Sequence, residues 1–108
     1  MLKAMLAAVG LSAAILLGSG ASARTISEFM DDCRSDANSC KSIVTSVIIN
    51  GRDARYICVP KGMSSEKAAQ QEIDWLKEKV GSSKRFANRD DQDALWDGAA
   101  ALWPCKRR

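Results

Sequence analysis

The sequence predicts a small all-α domain of four helices, stapled by disulfides and preceded by a signal peptide. Three observations predict it. Apolar residues recur at helical spacing between recognisable caps. All four cysteines follow an N-terminal apolar segment. That segment has the layout of an export signal, which directs the remainder to a compartment where disulfides form.

The leader runs from a basic start at Met1 to Lys3, through the apolar run Ala4 to Leu17, to the small residues Gly18 to Ala23 ending Ala21-Ser22-Ala23. Cleavage after Ala23 divides the chain into a signal peptide, residues 1–23, and a domain, residues 24–108. The apolar core is about 14 residues long, short of the roughly 20 that cross a bilayer as a helix, so no stable membrane span is expected after cleavage. No cysteine sits at the cut to carry a lipid. The expected address is the periplasm, with secretion as the alternative.

The first helix opens at Thr25-Ile26-Ser27-Glu28, where the threonine hydroxyl and the glutamate can form a capping box. Ile26, Phe29, Met30 and Cys33 then share one face of a helix ending at Cys33 or Arg34, and Arg34 to Ser39 reads as a turn. Cys40 to Asn50 carries two signals. Its β-branched Ile43, Val44, Thr45, Val47, Ile48 and Ile49 suit a strand. Yet Ile43, Val44, Val47 and Ile48 also sit at helical spacing, Ser39 can cap, and Asn50-Gly51 can stop a helix; the helix is the preferred reading. Gly51 to Arg55 is then a loop. Ser64 or Ser65 caps a third helix to about Lys79, with Ala69, Ile73, Leu76 and Val80 inward and Gly81-Ser82-Ser83 as its stop. The fourth spans about Asp90 to Trp103. Its acidic start suits the positive helix end, Leu95, Trp96, Ala99, Leu102 and Trp103 are apolar, and Pro104 terminates it. Gly98 to Ala101 would let a neighbouring helix approach closely.

The last two helices are similar in length and closely connected, so an antiparallel hairpin is expected. Hairpin formation brings Cys58, before the third helix, to Cys105, after the fourth. Cys33 and Cys40 then pair locally. Four cysteines allow three connectivities, and this is the preferred one. Zinc is the competing use of the cysteines. The Cys33 to Cys40 spacing is wide for a zinc knuckle, no second close pair follows and the chain has no histidine. No metal or cofactor is expected.

Without Lys3 there are 15 basic residues against 13 acidic, spread along the chain. Nucleic acid is not an expected partner, because phosphate binding calls for a basic stripe with stacking aromatics. Catalysis is not expected either. The commonest general base is missing. Ser64, Ser65 and Lys67 read as an ordinary helix start rather than a serine–lysine pair. The adjacent carboxylates Asp31-Asp32 and Asp90-Asp91 show no division of labour, and no glycine-rich phosphate loop is present.

Several of these pieces occur together in a known family. A cysteine follows a short helix and another opens the next. Cys58-Val59-Pro60 leads into a serine-capped amphipathic helix, and Ala94-Leu95 through Trp103-Pro104-Cys105 close the chain. This order resembles the Rap/Tai family, periplasmic immunity proteins that bind and block peptidoglycan amidase toxins delivered by type VI secretion. The likeness covers nearly all of residues 24–108. Where the family pattern has an aromatic and then a glycine after the second cysteine, this chain has Ile43 and Ser46, and Gly81-Ser82-Ser83 replaces a proline in the last link. The resemblance implies an all-helical fold, a periplasmic address, a cell-wall amidase as protein partner, and a capacity to homodimerise.

Large aromatics and arginines dominate binding energy at interfaces, which makes Trp75, Lys84, Arg85, Phe86 and Arg89 the candidate partner-binding residues. Their ordinary readings are partial core burial for Trp75 and a solvated loop for the rest. The functional alternative is an HdeA-like periplasmic chaperone that binds unfolded clients through apolar surface exposed by acid. A secreted effector enzyme would need a nucleophile and base that the sequence does not offer.

Overall fold

The computed structural model describes residues 24–106, and the segment expected to be a signal peptide lies outside them. The described residues form an all-α domain with helices α1 (Ile26–Ser35), α2 (Ala37–Asp53), α3 (Ser65–Ser82), α4 (Lys84–Ala87) and α5 (Asp91–Leu102). Four match the expected helices; α4 is an addition, standing where a solvated loop was expected. None of the described helices is long and apolar enough to cross a membrane.

Caps explain the boundaries. Thr25 and Glu28 form the capping box of α1, with Glu28 N–H donating to the threonine hydroxyl at 3.1 Å and Thr25 N–H donating to the glutamate at 3.0 Å. The expected turn over Arg34 to Ser39 shrinks to one residue. Asp36 ends α1 and caps α2 at once, its carboxylate accepting from Ser39 N–H at 3.1 Å, so α2 begins before Cys40. The ambiguous Cys40 to Asn50 segment is helical, and α2 continues past Gly51, where the sequence suggested a stop. Gly51 serves close approach instead: a β-carbon there would lie 3.1 Å from the Trp96 ring and 3.2 Å from the Ile57 side chain. The chain turns only at Arg55, a non-glycine residue in the left-handed region at φ 62°. Likewise α3 runs through Gly81 to Ser82. It ends because Ser83 is extended and its hydroxyl accepts from Phe86 N–H at 3.1 Å, starting α4.

One apolar core joins the helices. Ile26, Phe29 and Met30 enter it from α1, Val44, Val47 and Ile48 from α2, Ala68, Ala69, Ile73 and Leu76 from α3, and Ala94, Leu95 and Ala99 from α5. Ile43 was expected on the inner face of α2 but is 39% exposed; the buried stripe is instead Cys40, Val44, Val47, Ile48 and Gly51. Val80, Trp96 and Leu102 are only partly buried.

Both expected disulfides are present. Cys33–Cys40 has Cα atoms 5.0 Å apart and ties α1 to α2; Cys58–Cys105 has them 4.9 Å apart and ties the approach to α3 to the end of α5. By loop-closure entropy the first stabilises by about 2–3 kcal/mol and the second by about 4 kcal/mol. Cys58 N–H also donates to the Trp103 carbonyl at 2.9 Å, reinforcing the antiparallel α3–α5 arrangement.

A further clamp holds the chain's first described residues to the start of α5. Thr25 and Asp90 form an antiparallel bridge, with Ile26 N–H donating to the Arg89 carbonyl at 2.8 Å and Asp91 N–H to the Arg24 carbonyl at 3.0 Å. Arg24 pairs with the buried Asp91 at 3.1 Å and with Asp32.

Candidate functional site

Trp75 projects from α3, and its position follows from what lies under it. Residues 68, 69, 72, 73 and 76 form the buried stripe of α3, which leaves position 75 at the stripe's edge and Trp75 half-buried. Gly98 on α5 makes room for it: a β-carbon at Gly98 would lie 3.1 Å from the Trp75 ring and 2.7 Å from a Glu72 carboxylate oxygen. The small-residue run in α5 thus permits the close approach of α3.

The last link then folds onto the tryptophan. Capped by Ser83, the single turn α4 directs Phe86 edge-on to Trp75, with ring centroids 5.7 Å apart and planes at 86°. A cation lies over each ring, Lys79 Nζ 5.4 Å from the Trp75 centroid and the Arg89 guanidinium 5.8 Å from that of Phe86. Arg89 is also held by Asp97 on α5 at 2.6 Å, while its carbonyl receives Ile26 N–H. Lys84 and Arg85 occupy the exposed side of α4. Of the five residues singled out in the sequence, Trp75, Phe86 and Arg89 are brought into one cluster by α3, α4 and the link before α5, while Lys84 and Arg85 are exposed on the turn that carries Phe86. Phe86 and Arg89 are half-buried rather than loop residues in solvent.

Glu72 is the residue that sequence reasoning missed. It is completely buried, and neither carboxylate oxygen has a hydrogen-bond partner among the described residues. Desolvation pushes its pKa from 4.5 up to about 8, so the carboxyl is neutral through the weakly acidic and neutral range. A signal was available: Glu72 lies three residues after Ala69 and four before Leu76, which places it on the apolar stripe. The Arg24–Asp91 pair was missed as well, because nothing local links positions so far apart in sequence.

Elsewhere the surface offers less. A cleft of about 430 Å³ beside Cys33–Cys40 is lined by Met30, Ile73, Lys41 and Lys77 among others. Tyr56, 49% exposed, meets Trp96 edge-on at 5.5 Å. Among the described residues no three histidine, cysteine, aspartate or glutamate side chains are placed to hold a metal ion. No protein-family model, curated protein or solved structure matches the chain.

Proposed function

We propose that this chain is an exported, periplasmic inhibitor of the immunity type, which binds a peptidoglycan amidase toxin through the Trp75–Phe86 face and keeps substrate out of its cleft. The observation that carries the reading is the packing of Trp75, Phe86, Lys79 and Arg89 into one aromatic and cationic cluster, with Lys84 and Arg85 exposed on the same turn as Phe86. Such side chains, fixed in advance by packing, lose little freedom on docking. The Rap/Tai-like order of cysteines, Cys-x-Pro and Trp-Pro-Cys supports the amidase as the partner. Two disulfides in a domain this small suit an oxidising compartment. In this reading the protein has no catalytic task of its own, and a homodimer presenting two such faces is compatible with it.

One observation favours this role over an acid-opened chaperone. The seam beneath the face contains a carboxyl that burial keeps protonated, so acid leaves the seam neutral and closed. A client-binding surface released at low pH calls for the opposite sign.

The test is capture followed by an assay. The oxidised protein, used as bait in a periplasmic extract challenged with type VI effectors, is expected to retain a single cell-wall hydrolase and to inhibit its cleavage of peptidoglycan. Retention of many unrelated clients, increasing as pH falls, would assign the chaperone role instead.

A further inference from the structure

We propose that the Trp75–Phe86 face is specific for an acidic protein segment, one that sets an apolar side chain on the ring pair and carboxylates on Lys84 and Arg85. This rests on the reading of the face as a docking surface and adds the chemistry of what docks. From Lys79 to Arg89 the chain carries four cations and no carboxylate, within a domain whose charges otherwise nearly balance. The fold sorts these cations into two kinds. Arg89 is committed, held by Asp97 and lying over Phe86, and Lys79 lies over Trp75. Lys84 and Arg85 are exposed, make no ion pair among the described residues and stand on a capped turn.

An acidic segment would neutralise that pair of charges while its apolar residue covers the ring edges, which gives both attraction and register. The alternative polyanions fit less well. Stacking of nucleic-acid bases needs open ring faces, and here each ring has a cation over a face while the two rings meet edge to face. Insertion into an anionic membrane needs large apolar groups projecting outward, whereas Trp75 and Phe86 are half-buried.

The test uses a fluorescein-labelled synthetic peptide with alternating glutamate and aspartate around a central leucine. Its controls are the same peptide with glutamine and asparagine, vesicles containing phosphatidylglycerol, and a single-stranded oligonucleotide. Saturable binding of the acidic peptide to the oxidised protein is expected, with a shift of the Trp75 indole NMR signal. The combined change Lys84→Glu and Arg85→Glu should weaken it at least about tenfold, equivalent to ~1.4 kcal/mol. Added salt should weaken it too. A control with Lys41→Glu and Lys77→Glu should leave it unchanged. Equal binding of the neutral peptide, indifference to the Lys84 and Arg85 reversals, or tighter binding of vesicles or oligonucleotide would overturn the inference. The two proposals separate cleanly. Acidic-peptide binding at this face without amidase inhibition leaves the docking chemistry standing and removes the immunity role. Amidase inhibition that survives the charge reversals does the converse.

Discussion

Two buried carboxyls are treated in contrary ways. At the start of α5, Asp91 is 6% exposed and receives the Arg24 guanidinium at 3.1 Å, brought there by the bridge between Thr25 and Asp90. Between α3 and α5, Glu72 is wholly buried with no hydrogen-bond partner among the described residues, packed on Gly98 beside Trp75. The first site matches a buried charge with its opposite; the second removes the charge by keeping a proton. Burying an unpaired ion costs too much for the second solution to work any other way. The contrast teaches that a buried charge is matched where the chain must be held, and avoided where α3 and α5 approach most closely.

The largest expected effect breaks the comparison by pH. The folded state retains a proton on Glu72 that the unfolded chain releases above about 4.5. The stability associated with that proton is therefore fully present below 4.5 and is lost as pH rises through about 8, a change on the order of 3–5 kcal/mol for a group this buried. Denaturant titrations from pH 5 to pH 9 should show this fall, and Glu72→Gln should flatten it. An equal slope in both proteins would mean that Glu72 is solvated. Next is Gly98→Ala, whose methyl group must displace the Glu72 carboxyl and the Trp75 ring; a loss of about 1–3 kcal/mol is expected. Combining it with Glu72→Ala should cost less than the sum of the two, since the closest clash is removed.

At the matched site, Arg24→Ala strands Asp91. Because Arg24 is itself partly exposed, the expected loss is smaller than for a fully buried pair, about 1–2 kcal/mol in thermal or denaturant unfolding. The smallest effect is at the end of α2. Arg55→Gly relieves a left-handed conformation and should stabilise by less than about 1 kcal/mol, offset in part by the freer unfolded chain. A destabilisation there would mean that the Arg55 side chain supports the turn.

Much of this architecture is legible in the chain because its signals are local. The Thr25-Glu28 box, the Ser64 cap, the start and stop of α5 and both disulfide pairings follow from residues a few positions apart or from the hairpin they imply. Glycine was the misleading signal. Gly51 reads as a helix stop, but it lies inside α2 to admit Trp96 and Ile57, and tertiary contact outweighed the local preference. The membership of the candidate face could be named from residue type alone. Its geometry could not, since the edge-on packing of Phe86 on Trp75 depends on Ser83 starting an extra turn. Glu72 illustrates the limit most clearly: a charged residue is ordinarily assigned to the polar side, and only its register argued otherwise.

The central claim, that the face built from α3, α4 and the link before α5 is where the protein docks, is tested most directly by hydrogen exchange on the oxidised chain alone and in complex with its captured hydrolase. The account predicts new protection concentrated in residues 75–89, and its loss together with binding when Trp75 and Phe86 are changed to alanine in a chain that remains folded. Protection centred on the cleft beside Cys33–Cys40, with residues 75–89 exchanging as they do in the free protein, would contradict it.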